Sequence, residues 1–277
     1  MAEYHSDFLI IAQITDFHLR VDGKLFNDDK DTEAQLAACV EHLNALQPRP
    51  DVVLATGDLA DEPDETAYEV MRRMLEGIEM PVYVIPGNHD DREMVRRAFL
   101  DLGYFPTTAD GPFLHYTVED HLLRLIGLDT LETGGDEGEM CADRRHWLDD
   151  RLSEQPDRPT LIFMHHQPIM TRMGAIDKNA FAGAREMEEL IRRHSQVEWI
   201  ICGHLHRPIQ MRWGGTVVSV APSSAFQRTL TLDNAMPKAF IDEPPGISVH
   251  MWSAETGIIS HISLMGDFGP PYPMRDG

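Results

Sequence analysis

Cysteine is scarce in this 277-residue chain: three residues, Cys39, Cys141 and Cys202, lie far apart in sequence. That number and scatter exclude a disulfide framework and a zinc ribbon. Cys39 falls at a core position of a helical pattern and Cys202 ends an apolar run, so both read as buried free thiols. Positive charge is the second shortage. Against 46 Asp and Glu stand 24 Lys and Arg, a formal net charge of −22. So acidic a surface repels a polyanion, and no basic patch relieves it: Arg92, Arg96 and Arg97 share one helical turn with acidic neighbours. A nucleic-acid duplex is therefore not an expected partner. Long apolar runs are missing too. The longest are strand-sized, too short to cross a bilayer. Residues 1–7 carry no basic stretch leading into an apolar one, so no secretory signal is expected. Together these absences predict a cytoplasmic protein with no membrane partner.

What is present is an alternation of short apolar runs with amphipathic stretches, the pattern of an α/β domain. Strands are predicted at 8–15, 52–56, 82–85, 123–128, 160–164, 199–202, 216–220, 247–252 and 258–264. Several are rich in Val, Ile and Leu without alternation, as suits strands covered on both faces. Helices are predicted at 32–47, 64–76, 91–102, 144–152 and 184–194. The first shows Leu36, Val40, Leu43 and Leu46 on one face and is stopped by Pro48 and Pro50. Gly103 is placed to end the third. The least regular parts are 130–142, 170–183 and 222–246. The last separates two strands by about 25 residues, longer than a simple connection, and reads as an inserted lid or assembly surface. No linker divides the chain, so residues 1–277 are expected to form one domain, with 269–277 as a loosely held tail.

Five motifs fall at or just beyond the C-terminal ends of predicted strands, where open α/β sheets bind ligands. They are Asp16-Phe17-His18, Gly57-Asp58-Leu59-Ala60-Asp61, Gly87-Asn88-His89-Asp90, His165-His166 and Gly203-His204-Leu205-His206. The inventory is carboxylate, imidazole and one amide oxygen, without a thiol, which suits Mn, Fe, Co or Zn rather than copper or an iron–sulfur cluster. Residues i and i+2 of an extended segment share a side, so Asp16 and His18 can chelate one ion. His204 and His206 can do the same, or diverge toward two ions. A carboxylate such as Asp58 has two oxygens and can bridge a metal pair. Gly57, Gly87 and Gly203 permit tight bends beside the site. Each motif alone is weak, because turns and structural histidines produce all of them; order and placement together carry the case. His42, His115, His121 and His146 read as structural, without partners. Arg92 and Arg207 stand near enough to the motifs to reach a bound phosphate, and Phe226 or Phe240 to stack on a base or to pack the loop.

This ordered set is the signature of the calcineurin-like metallophosphoesterases, which the chain resembles over residues 16–206. Within that superfamily it looks like the class III cyclic-nucleotide phosphodiesterases and the bacterial glycerophosphodiester phosphodiesterases. Its length, the Phe163-Met164-His165-His166-x-Pro168 stretch and the long segment before Pro244-Pro245-Gly246 carry that likeness. It departs from the protein Ser/Thr phosphatases, whose Gly-Asp motif continues into Asp-Arg-Gly; here Glu62 and Pro63 follow Asp61. The resemblance implies a four-layer α/β/β/α sandwich of two mixed sheets with a small C-terminal cap or assembly segment, and a homo-oligomer, dimer or larger. It implies two metal ions per chain, Asp16, His18 and His206 on the first, Asn88, His165 and His204 on the second, and Asp58 bridging. His89 would lie beside them as proton donor or charge stabiliser, facing substrate together with Asn88. The activity implied is hydrolysis of small phosphodiesters, cyclic nucleotides or glycerophosphodiesters, by a metal-held hydroxide. The alternatives are a phosphomonoesterase or nucleotide pyrophosphatase on the same scaffold, and an inactive metal-binding regulatory domain. The last requires a missing ligand, and none of the seven positions lacks one.

Overall fold

The computed structural model describes residues 8–132, 134–178, 181–233, 235–270 and 272. In chain order the elements are β1 (Leu9–Ile14), α1 (Thr32–Ala45), β2 (Val52–Thr56), α2 (Glu65–Leu75), β3 (Val82–Ile85) and α3 (Arg92–Phe99). Next come β4 (Tyr116–Val118), β5 (Arg124–Leu128), α4 (Ala142–Glu154), β6 (Thr160–Met164), α5 (Ala184–Ile191) and β7 (Val197–Cys202). The chain closes with β8 (Ile209–Trp213), β9 (Thr216–Val220), β10 (Gln227–Arg228), β11 (Phe240–Ile241), β12 (Gly246–Ser253) and β13 (Gly257–Leu264).

Two mixed sheets result. The first has the order β13-β12-β1-β2-β3 and the second β4-β5-β6-β7-β9-β8, with β10 and β11 a separate two-stranded ribbon. In the first sheet β1, β2 and β3 run parallel while β12 and β13 return antiparallel. In the second, β5 through β9 is parallel and both edges are antiparallel. Strands β2, β5 and β6 are buried at every residue. A strand reaches that state only when both faces are covered. Here the sheets face each other through β2 with β6 and β3 with β5, while α1–α2–α3 pack in one row and α4–α5 in another. The four-layer α/β/β/α sandwich follows from that cover.

Several local expectations need correction. Helix α1 ends at Ala45, and its buried residues are Thr32, Leu36, Cys39 and Leu43; Val40 and Leu46 are only half-buried. Helix α3 stops at Phe99 and tightens into a 3-10 turn, Leu100–Leu102, before Gly103 takes the left-handed conformation. Strands β4, β8, β10 and β11 lay outside the expected set. β8 reads IQMRW with three exposed residues, and β10 and β11 have two residues each, so none presents an apolar run. His42 and His115 do have partners: His42 Nε2 lies 2.8 Å from Ser263 Oγ, and His115 Nδ1 accepts the Asp129 N–H. Residues 1–7 and most of the tail expectation (271 and 273–277) lie outside the described residues. Among the described residues no helix is long and apolar enough to cross a membrane.

Candidate metal centre

The strand ends deliver the five motifs to one place by backbone hydrogen bonds. Asp16 N–H donates to the Gly57 carbonyl and His18 N–H to that of Asp58, so the loop after β1 is laced to the loop after β2. Asp90 ties in the loop after β3. Its carboxylate accepts the N–H groups of Gly87, Leu59 and Ala60 and the Tyr68 hydroxyl. Burial and the nearby Asp58 charge push its pKa up to about 6. Approach is close enough to need glycine: a Cβ at Gly87 would meet Asp58 N and Oδ1 at 2.3 Å. Five of the seven expected ligands, Asp16, His18, Asp58, His204 and His206, hold positive φ angles between 44° and 72°. Such backbone costs about 1–3 kcal/mol per residue and concentrates at functional sites. Here it turns each side chain inward at the first residues beyond the strands.

The ring tautomers reveal what the cluster needs. Nδ1 of His18, His165 and His206 lies against Asp61 Oδ1, Thr56 O and Phe226 O at 3.2, 2.7 and 2.9 Å. A carbonyl or carboxylate oxygen only accepts, so each Nδ1 carries the hydrogen, and each ring in its neutral form turns an Nε2 lone pair the other way. Those lone pairs meet other acceptors. His18 Nε2 is 3.0 Å from His206 Nε2, and His206 Nε2 is 3.3 Å from Asp16 Oδ1. Asn88 Oδ1 is 3.2 Å from His165 Nε2 and 2.9 Å from His204 Nδ1. Asp58 donates nothing either: its Oδ1 accepts the His89 N–H, and its Oδ2 lies 3.5 Å from His18 Nε2 and 3.3 Å from His165 Nε2. A proton relieves one such contact, whereas cations relieve them all. The donor set therefore fits metal ions, in two groups that share Asp58. One group is Asp16, His18, Asp58 and His206, all buried, with ligand atoms within 4.8 Å of one another. The other brings His165 and His204 to Asn88.

Electrostatics agree with the geometry. Burial pushes the Asp58 carboxyl up, yet the His165 and His18 charges hold it well below the usual carboxylate range. Burial works against a charged His165, but Asp58 and Asp16 outweigh it and raise its pKa to about 9. His204 is held well below the ordinary imidazole value, first by burial and then by His166, His165 and Arg228. His89 differs from the others. It is half-buried, its Nδ1 lies 2.8 Å from the Asp61 carbonyl, and its Nε2 has no assigned partner among the described residues. Burial opposes its charge, and Asp58 and Asp61 more than compensate, raising its pKa.

The site includes supporting roles that the motifs did not assign. Asp61 orients His18 and is itself paired with Arg20. Ser223 donates its hydroxyl to the Asp16 carbonyl, and Ser224 to that of Thr15. His166 lies outside both groups of expected ligands; its Nδ1 meets Thr130 Oγ1 at 2.9 Å. Arg92 and Arg207 do not reach the centre unencumbered, because Arg92 is paired with buried Asp129 and Arg207 with Glu243. Phe226 is not free to stack on a base either: it is 3% exposed, stacked on Phe26 at 4.2 Å and packed against His18 and His206. Phe240 is 42% exposed beside it.

Residues 9–208 match the calcineurin-like phosphoesterase family. A probable glycerophosphodiester phosphodiesterase of Arcobacter nitrofigilis is 34% identical over 96% of each chain. A 3',5'-cyclic adenosine monophosphate phosphodiesterase of Escherichia coli is 28% identical over 82% of each. Among solved structures, a dimetal phosphatase from Danio rerio superposes with a TM-score of 0.62 at 14% identity, covering 91% of this chain and 98% of the other, which speaks for the fold. With the matched region spanning all five motifs and the strands that carry them, the chain belongs to the calcineurin-like phosphoesterase family.

Proposed function

We propose that the chain is a metal-dependent phosphodiesterase acting on small phosphodiesters, cyclic nucleotides or glycerophosphodiesters. The observation that carries this reading is the convergence of acceptor atoms on both sides of Asp58 Oδ2, more of them than a proton on His165 can reconcile. Asp16, His18 and His206 would hold one ion, Asn88, His165 and His204 the other, with Asp58 between; Mn, Fe, Co and Zn all suit these donors. When bound, two such cations supply Lewis-acid charge for phosphoryl oxygens and lower the pKa of water so that it can attack at neutral pH. The remaining work belongs to the chain. Asp61, Thr56 and Phe226 fix the tautomers of His18, His165 and His206. His89, with Nδ1 occupied by the Asp61 carbonyl, keeps Nε2 for a proton exchanged with the leaving oxygen.

Two observations favour a diester. The relatives named above bear diesterase names. A pocket of about 340 Å³ lined by Phe26, Phe226, Phe240 and Lys30 leaves room beside the centre for a second ester group. We read residues 222–246 as the lid or assembly surface of a single-domain homo-oligomer, and the three free thiols as suited to the cytoplasm. The test compares kcat/KM for bis(p-nitrophenyl) phosphate and p-nitrophenyl phosphate with the same metals. The diester should be preferred; a tenfold or greater advantage for the monoester would overturn the assignment and leave the metal centre standing.

A further inference from the structure

One arginine near the centre differs from its neighbours. Arg20 is paired with Asp61 and Glu62, Arg92 with Asp129 and Arg207 with Glu243. Arg228 is half-buried, yet among the described residues its guanidinium has neither an ion-pair nor a hydrogen-bond partner. Backbone contacts hold its segment in place. The Phe226 carbonyl lies against His206 Nδ1, and Arg228 N–H donates to the His206 carbonyl at 3.3 Å, so the segment brackets that histidine on both sides. Between them Gln227 turns inward, its amide donating to the Ser223 carbonyl. Phe226 packs on His18 and His206, and the Arg228 guanidinium lies close enough to Asp16, Asp58 and His204 for their charges to act on one another, which places it beside the metal centre.

We propose that Arg228 is a phosphoryl-oxygen clamp, its guanidinium taking a non-bridging oxygen of the phosphate held at this centre. Burial lowers its pKa while Asp16, Asp58 and Glu137 support its charge, and it in turn holds the His204 imidazole down. Once Asp16 and Asp58 are engaged by metal ions, that support is spent, and a phosphate oxygen is the anion positioned to replace it. Arginine suits the task because its planar fork binds two oxygens or one oxygen twice. On a chain of net charge −22, a local cation also offsets the repulsion that an incoming anion meets.

The inference rests on the phosphoesterase reading of the site, and the experiment separates the two. Metal-loaded wild type, Arg228→Met and Arg228→Lys are compared for inorganic phosphate binding by calorimetry and for turnover of bis(p-nitrophenyl) phosphate. Arg228→Met should weaken phosphate binding tenfold or more and lower kcat/KM by about 10²-fold. Arg228→Lys should recover part of both. Metal content and Tm should stay at wild-type values, because among the described residues the guanidinium holds no ion pair or hydrogen bond. Unchanged phosphate affinity in Arg228→Met overturns the clamp, as does a loss of metal or Tm in both variants. Wild type that binds phosphate through Arg228 but hydrolyses no diester would refute the diesterase reading alone.

Discussion

Asp58 divides its two oxygens between tasks. Oδ1 accepts the His89 N–H, and Oδ2 stands between His18 and His165, one from each group of donors. Replacing Asp58 with Ala should therefore weaken both ions, whereas Asn88→Ala, which removes the oxygen that meets His165 and His204, should loosen the second. Elemental analysis of reconstituted protein should find about two transition-metal equivalents in wild type. A single ion at saturation with full activity would contradict the pair. His89 is the counterpart test, since it adjoins the donors without joining either group. His89→Ala should keep its metal and lose about 10²–10⁴-fold in kcat, with a smaller loss for a leaving group that needs no proton. Loss of metal together with activity would make its role structural.

At the scale of elements, the centre depends on loops pressed together more tightly than side chains allow. Gly87→Ala places a methyl 2.3 Å from Asp58 N and Oδ1, the backbone and the carboxylate of the shared donor. That loop cannot yield without moving Asn88, so metal content should fall even if the fold survives; full metal occupancy in the variant would refute this. A second element-level device is the pair between Arg92, at the start of α3, and Asp129, just after β5, which ties a helix of the first sheet to the second. Asp129 is fully buried, and it also accepts N–H groups from Leu114 and Leu131. Removing the cation strands a buried carboxylate, so Arg92→Met should cost about 3–5 kcal/mol in urea unfolding at pH 7. Burial raises the Asp129 pKa, but Arg92 outweighs it and the folded value is depressed. The pair's stability is thus fully present above the unfolded carboxylate pKa of about 3.9. It is lost as pH falls through the lower folded value, and the same melts repeated at decreasing pH should show it.

Over the whole molecule, composition and burial make separate claims. Cys39 and Cys202 are fully buried, and burial pushes the Cys39 thiol up to about 12, while Cys141 is partly exposed. A thiolate-selective reagent at pH 8 should modify Cys141 readily in the native protein and all three thiols after unfolding. Rapid native modification of Cys39 or Cys202 would show that the layers around β7 and α1 open far more easily than their packing indicates.

The order of strands and helices was readable because buried strands such as β2, β5 and β6 are continuous apolar runs, and burial on both faces leaves composition little choice. The candidate donor positions stood out for a related reason: oxygen and imidazole donors must be Asp, His or Asn whatever surrounds them, and each sits one to four residues beyond a strand end. Edge strands such as β8 carry no such mark, since solvent permits polar residues there. The support of the centre was not readable from the sequence, even for Asp61, which stands in a motif. Asp61 as the orienter of His18, the Phe226 carbonyl behind His206 and Ser223 beneath Asp16 are contacts across 20 to 207 residues. The arginines make the distinction plainest. Arg92, Arg207 and Arg228 are chemically identical letters near the same motifs, and only the chain's path in space brings a carboxylate to the first two and leaves the third facing the metal centre.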